Sequence, residues 1–227
     1  MSTPFYVAPE QVMKDRADYA RKGIARGRSL IGSTYDDGIV IVAENPSNTL
    51  HKVSEIYDRI GFGGVGRYNE FDQLRIAGIR HADLKGFNYS RLDVDALSLA
   101  NQYAQILGQT FTNEMKPMEV EILVAEIGED SEDDDQLFHI LYDGTVFDRT
   151  GYAVLGGDAE AITSRLDDGF QERLDMGAAI QQAQAALSGP DRTLVADDLE
   201  VAVLGRGNGR RSFRRVVEDE LASLVSK

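Results

Sequence analysis

Residues 27–44 read GRSLIGSTYDDGIVIVAE. Two apolar runs, one closing at Tyr35 and one opening at Ile39, flank Asp36-Asp37-Gly38. Such runs favour strands, and an Asp-Gly pair between them favours a tight hairpin, because a type I′ turn needs positive φ that glycine adopts freely. The signature recurs. LFHILYDGTVFD (137–148) turns at Asp143-Gly144, and LEVAVLG (199–205) followed by RRSFRRV (210–216) reads as a third hairpin.

Helices fill the spaces between. From Pro9-Glu10 onward, Met13, Ala17, Ala20 and Ile24 share one face, with charged residues around them. KVSEIYD (52–58) alternates as a strand does, and GFGGVG (61–66) is a run of small residues. Residues 68–82 have an impure helical pattern. The pattern over 95–112 is cleaner, aligning Ala96, Leu99, Tyr103, Ile106 and Thr110. MEVEILVAEIG (118–128) and YAVLGGD (152–158) read as strands. Helices are expected at 158–168 and at 175–188, where Met176, Ile180, Ala183 and Leu187 align, and VVEDELASLVS (216–226) closes the chain as a helix. Hairpins outnumber crossovers. That order predicts an α+β fold of two antiparallel sheets with helices packed outside.

Composition narrows the function. The 227 residues suffice for one sizeable core, and 42% of them are apolar. A net charge of −14 disfavours nonspecific nucleic-acid or anionic-membrane partners. No run of about eighteen apolar residues suggests a membrane span, and MSTPFYVAPEQ has no signal-peptide pattern. Cysteine is absent, which removes thiol chemistry and fits a reducing, cytoplasmic setting.

Several local patterns invite sharper readings. Gly61-Phe62-Gly63-Gly64-Val65-Gly66 matches the dinucleotide fingerprint, but that motif needs a parallel βαβ unit, and here a hairpin precedes it. The alternative is a strand of small residues packed closely under a helix. The acidic stretch Gly128–Gln136 lacks glycine where a calcium loop requires it, so a solvated loop is expected. Arg206, Arg210, Arg211, Arg214 and Arg215 form a basic cluster, read as an exposed hairpin or a subunit contact. His51, His81 and His139 show no metal-ligand spacing, and no cofactor or metal is implied.

Three stretches carry a resemblance: APEQVMKDRADYARKGIARGRS (8–29), HKVSEIYDRIGF with GRYNEFDQLRIAGIRHAD (51–62 and 66–83), and LEVAVL with the arginine-rich FRR. In these the chain resembles α-type subunits of the actinobacterial 20S proteasome. The resemblance implies a four-layer αββα sandwich of the N-terminal-nucleophile hydrolase kind. It also implies one domain over 9–227 and a gating segment over 1–8 that includes Thr3, Pro4, Phe5, Tyr6, Val7 and neighbouring Pro9.

Catalytic β-type subunits share the opening hairpin, but their first residue is a threonine that supplies hydroxyl and amine. Alignment by the turn puts Arg28 at that position. Glu44 stands where the family has a supporting Asp, and Gly157 replaces a Ser. These are vestigial positions, so no catalytic residue is expected. The competing reading is an active hydrolase cut before Ser29 or Thr34.

The resemblance further implies a seven-membered α ring that caps rings of β-type subunits, gates substrate entry and docks a hexameric AAA ATPase through its C-terminal tails. In actinobacteria the degraded proteins carry the tag Pup. Lys52 corresponds to the family's strand lysine that meets the tail carboxylate, with Gly27 and Gly66 bordering the pocket.

Overall fold

The computed structural model describes residues 8–128 and 135–225. The gating residues Thr3, Pro4, Phe5, Tyr6 and Val7 lie outside them. α1 spans Pro9–Ile24, with proline at its start, where a missing N–H leaves no hydrogen bond unmade. β1 (Leu30–Tyr35) and β2 (Gly38–Glu44) form the expected hairpin, followed by β3 (Val53–Tyr57) and β4 (Ile60–Gly66). α2 (Tyr68–Asn88) and α3 (Ala96–Asn113) lead to β5 (Val120–Glu126), β6 (Gln136–Ile140), β7 (Val146–Arg149) and β8 (Tyr152–Leu155). α4 (Ala159–Asp167), α5 (Met176–Ser188), β9 (Leu199–Gly205), β10 (Phe213–Arg215) and α6 (Glu218–Leu224) complete the chain.

The strands build two antiparallel sheets, in the orders β10-β9-β2-β1-β8 and β3-β4-β5-β6-β7. Between them lie Leu30, Ile39, Ile41, Val53, Leu123 and Leu204, among others. Outside the first sheet, Val40, Val42 and Val203 pack on Ile180 and Leu187 of α5, with α4 and α6 adjoining. Outside the second, Phe62 and Ile122 pack on Phe71 of α2 and Leu99, Tyr103 and Leu107 of α3. The result is the αββα sandwich. Helices cover both outer faces, so a central strand is buried on both sides. All seven residues of β2 are buried, which is why GIVIVAE reads as a near-continuous apolar run.

Some expectations need correction. Asp36 and Asp37 themselves form the two-residue turn, since Tyr35 pairs with Gly38. Neither has positive φ, so the turn is not type I′. Gly38 has φ +149°, and a Cβ there would lie 1.9 Å from the Leu204 carbonyl oxygen. Glycine is needed for the approach of β9 rather than for the turn. α2 runs on to Asn88, past the expected end at 82, with Leu84 and Phe87 turned outward. The buried stripe of α3 continues from Tyr103 through Leu107, while Ile106 and Thr110 are only partly buried. On α1 the stripe is covered toward its C-terminal end: Ala20 and Ile24 are buried and Ala17 partly so, whereas Met13 is exposed, as are Val12 and Tyr19 off the stripe.

The 61–66 run is β4, antiparallel between β3 and β5, which overturns the dinucleotide reading. Gly64 lies under Phe71 of α2, and Gly63 lies against Leu30 of the facing sheet. The basic cluster is not a bare hairpin. Arg206 pairs with Asp135, Arg211 with Glu55, Arg214 with Glu220 and Arg215 with Glu200. Asp135 departs from the solvated-loop expectation: its side chain is 1% exposed and accepts a hydrogen bond from Gly128 N. Among the described residues no three His, Cys, Asp or Glu side chains form a metal-binding group, and no helix is long and apolar enough to cross a membrane.

Candidate functional site

One end of the sandwich brings together Gly27, Arg28, Glu44, Lys52, Gly66 and Gly157. α1 ends at Ile24, and the chain turns through Gly27 and Arg28 into β1. Gly27 lies directly on the end of β4: a Cβ there would be 3.0 Å from Gly66 N and 3.1 Å from the Ile24 carbonyl oxygen. Gly66, at φ +105°, leads from β4 toward α2, and a Cβ on it would be 1.9 Å from the Glu119 carbonyl oxygen. Only glycine meets both constraints. Lys52 immediately precedes β3, with its carbonyl accepting from Gly64 N at 2.9 Å. Its side chain reaches across to Arg28, where Nζ donates to the main-chain carbonyl at 2.7 Å.

Charges around Lys52 are arranged unevenly. The Glu44 side chain is 3% exposed and bridged by Arg28 and Arg192. Arg192 binds it bidentately, with both N···O distances 2.7 Å. Burial would raise the Glu44 pKa, but hydrogen bonds from Arg192 and Arg28 outweigh burial and hold it below the ordinary value. Glu200 is similarly occupied, by Arg215, His51, Asn45 and main-chain amides. Neither carboxylate forms an ion pair with Lys52. Burial pushes the Lys52 ammonium down to a pKa of about 8, with Glu44 and Glu200 opposing the shift and Arg28 adding to it. The arrangement is a half-buried ammonium whose hydrogen-bond partner is a carbonyl. A carboxylate arriving from outside would supply the missing opposite charge.

The same end lacks the parts of a hydrolase. Arg28 is joined through Gly27 to α1, whose Ala20 and Ile24 are fully packed, so no free amine stands there. Ser29 is 3% exposed, and its carbonyl accepts from Glu44 N at 3.0 Å. Thr34 donates its hydroxyl to the Gly151 carbonyl at 3.2 Å. A Cβ on Gly157 would lie 2.6 Å from the Ala25 carbonyl oxygen. The connection from α1 into β1 thus occupies the room that a side chain at 157 would need. These contacts oppose the competing hydrolase reading, since its base and its candidate nucleophiles are absent, covered or engaged.

Arg192 and Glu200 were not legible in the sequence. Each reaches the site across 148 residues, Arg192 to Glu44 and Glu200 to Lys52, and no motif spacing marks such pairs.

Comparison with known proteins agrees with this geometry. A family model described as proteasome subunit matches residues 24–204. The proteasome subunit alpha of Acidimicrobium ferrooxidans is 65% identical over 226 residues, covering 97% of this chain and 95% of that protein. Those of Xylanimonas cellulosilytica and Acidothermus cellulolyticus are each 54% identical, covering 95% and 99% of this chain and 93% and 98% of theirs. With the two-sheet sandwich in place and the similarity to α subunits covering 95–99% of the chain, the chain belongs to the proteasome subunit family, among its α-type members.

Proposed function

We infer that this chain is a non-catalytic outer-ring subunit of a proteasome core particle, and that Lys52 docks the C-terminal carboxylate of an activator. The observation that carries the docking is the Lys52 ammonium, half-buried and bonded to the Arg28 carbonyl, while Glu44 and Glu200 are occupied by other donors. Gly27 and Gly66 let the α1–β1 turn and the end of β4 pack closely behind it, where a Cβ would meet main-chain atoms. The partner is a hexameric AAA ATPase that unfolds Pup-tagged proteins in the cytoplasm. Proteolysis is supplied by threonine nucleophiles of the β-type subunit.

Seven copies form the ring. The exposed apolar residues of α1, Val12, Met13 and Tyr19, support a contact with the neighbouring α subunit. Heterologous contacts of this kind close into rings when the rotation fits. Residues 1–8 gate the pore, with Phe5, Tyr6 and Val7 from seven chains covering one another at the axis.

Native mass spectrometry tests the assembly, and tail binding tests the docking. Mixing the chain with a β-type subunit gives a particle of four stacked seven-membered rings with peptidase activity. Lys52→Ala leaves the particle intact and abolishes binding of the ATPase tail. A monomer under every condition, or peptidase activity of the chain alone that vanishes on mutating Ser29 or Thr34, overturns the reading.

A further inference from the structure

Lys52 is held from behind by a residue on the opposite sheet. The Glu200 side chain, on β9, is 10% exposed and meets four donors and the His51 ring. Oε2 accepts from Lys52 N and from Asn45 Nδ2, each at 2.8 Å. Oε1 accepts from Val53 N at 3.4 Å and from the Arg215 guanidinium, and faces His51 Nδ1 at 3.2 Å. Arg215 also donates to the Val53 carbonyl at 2.5 Å. With Gly64 N on the Lys52 carbonyl, all four main-chain polar groups of Lys52 and Val53 are engaged, three of them through Glu200 and Arg215. Asn45 closes the same loop from its other end, donating to the Leu50 carbonyl at 2.7 Å.

We propose that Glu200 is a positioning residue for carboxylate docking: it sets the main-chain register from which the Lys52 side chain projects, and so places the ammonium at the Arg28 carbonyl. The proposal rests on the docking reading of Lys52. Two of the four donors are the consecutive amides of Lys52 and Val53, so moving the carboxylate moves the root of the lysine. β3 and β9 belong to different sheets, and the Glu200 carboxylate, with Arg215 beside it, joins them where the lysine emerges. A site whose anchor is fixed by surrounding hydrogen bonds binds without the ordering penalty of a free side chain.

Charge adds a second, separable effect. Lys52 faces Arg28, Glu44 and Glu200, whose carboxylates also hold Arg192, His51 and Arg215. Glu200 opposes the downward push of burial on Lys52, so neutralising it lets the lysine lose its proton at lower pH.

The test uses the assembled particle and a fluorescent peptide copied from the C-terminus of the cognate ring ATPase, with its amidated twin as control. Glu200→Gln should weaken binding of the free-carboxylate peptide about tenfold, lower the pH midpoint of binding, and leave unstimulated hydrolysis of very short peptides unchanged. Glu200→Asp keeps the charge but withdraws it from the two amides, so binding should weaken with the midpoint unmoved. The paired change Glu200→Gln with Arg215→Met avoids a stranded guanidinium and should behave as Glu200→Gln does. Wild-type affinity and midpoint in any assembled member of this set overturn the positioning role. Lys52→Ala separates the two levels. If it still binds the free-carboxylate peptide normally, the docking reading itself fails. If it loses binding while the Glu200 variants keep theirs, only the present inference fails.

Discussion

Raising the pH from 7 to 9 should weaken activator docking about tenfold. The perturbation acts on Lys52, which burial brings to a pKa of about 8. A free ammonium with that pKa is about 0.9 protonated at pH 7 and about 0.1 protonated at pH 9. Only the protonated form offers a charge to the tail carboxylate, so the apparent dissociation constant rises as that fraction falls, by about ten. The sign is fixed: the favourable interaction is complete below the folded-state pKa and is lost as pH rises through it. An ordinary exposed lysine, near 10.4, would show almost no change over this range. The assay is fluorescence anisotropy of a labelled ATPase tail peptide on the assembled particle, at constant ionic strength. Lys52→Arg supplies the internal control, because a guanidinium stays charged throughout. Its affinity should be flat with pH even if its absolute value changes. An equal affinity of the wild-type particle at pH 7 and pH 9, or the same slope in Lys52→Arg, would refute the reasoning.

Further outcomes follow from single contacts. Arg192→Ala removes a bidentate partner from buried Glu44 but leaves Arg28, so it should cost about 1.5–3 kcal/mol, read as a lower urea midpoint with unchanged slope; an unchanged midpoint contradicts the buried pair. Tyr103→Phe should raise stability by about 1 kcal/mol, since the Tyr103 hydroxyl is buried without a hydrogen-bond partner among the described residues; a lower melting temperature would reveal an unseen partner. Deleting residues 2–8 should speed hydrolysis of long peptides by the particle without activator, with smaller gains for very short ones, because apolar cover of about 1.5–3 kcal/mol per large side chain barely exceeds the cost of ordering the backbone. Equal rates at equal assembly would show that the segment is no gate.

Local chemistry was legible in advance. Alternating and continuous apolar runs, the Asp-Gly pairs and the helical stripes placed the hairpins and helices, because period and turn residues act within a few positions of themselves. The stripe Met176, Ile180, Ala183, Leu187 faces the first sheet much as read. The fold gathers at one end the positions the resemblance singled out, Lys52, Gly27, Gly66, Arg28, Glu44 and Gly157.

What the sequence could not express is which distant groups face each other. Gly38 looked like a turn residue, yet its requirement comes from the Leu204 carbonyl on β9. The arginines of 206–215 looked like a basic surface until register and sheet packing set Asp135, Glu55, Glu220 and Glu200 opposite them. A formal charge is a property of a residue, but its partner is a property of the packing. By itself, then, the sequence determined the elements and their order. Tertiary structure alone decided that Glu44 and Glu200 are occupied by other donors and that the Lys52 ammonium rests on a carbonyl, because pairing across two sheets depends on strand register and layer spacing rather than on sequence distance.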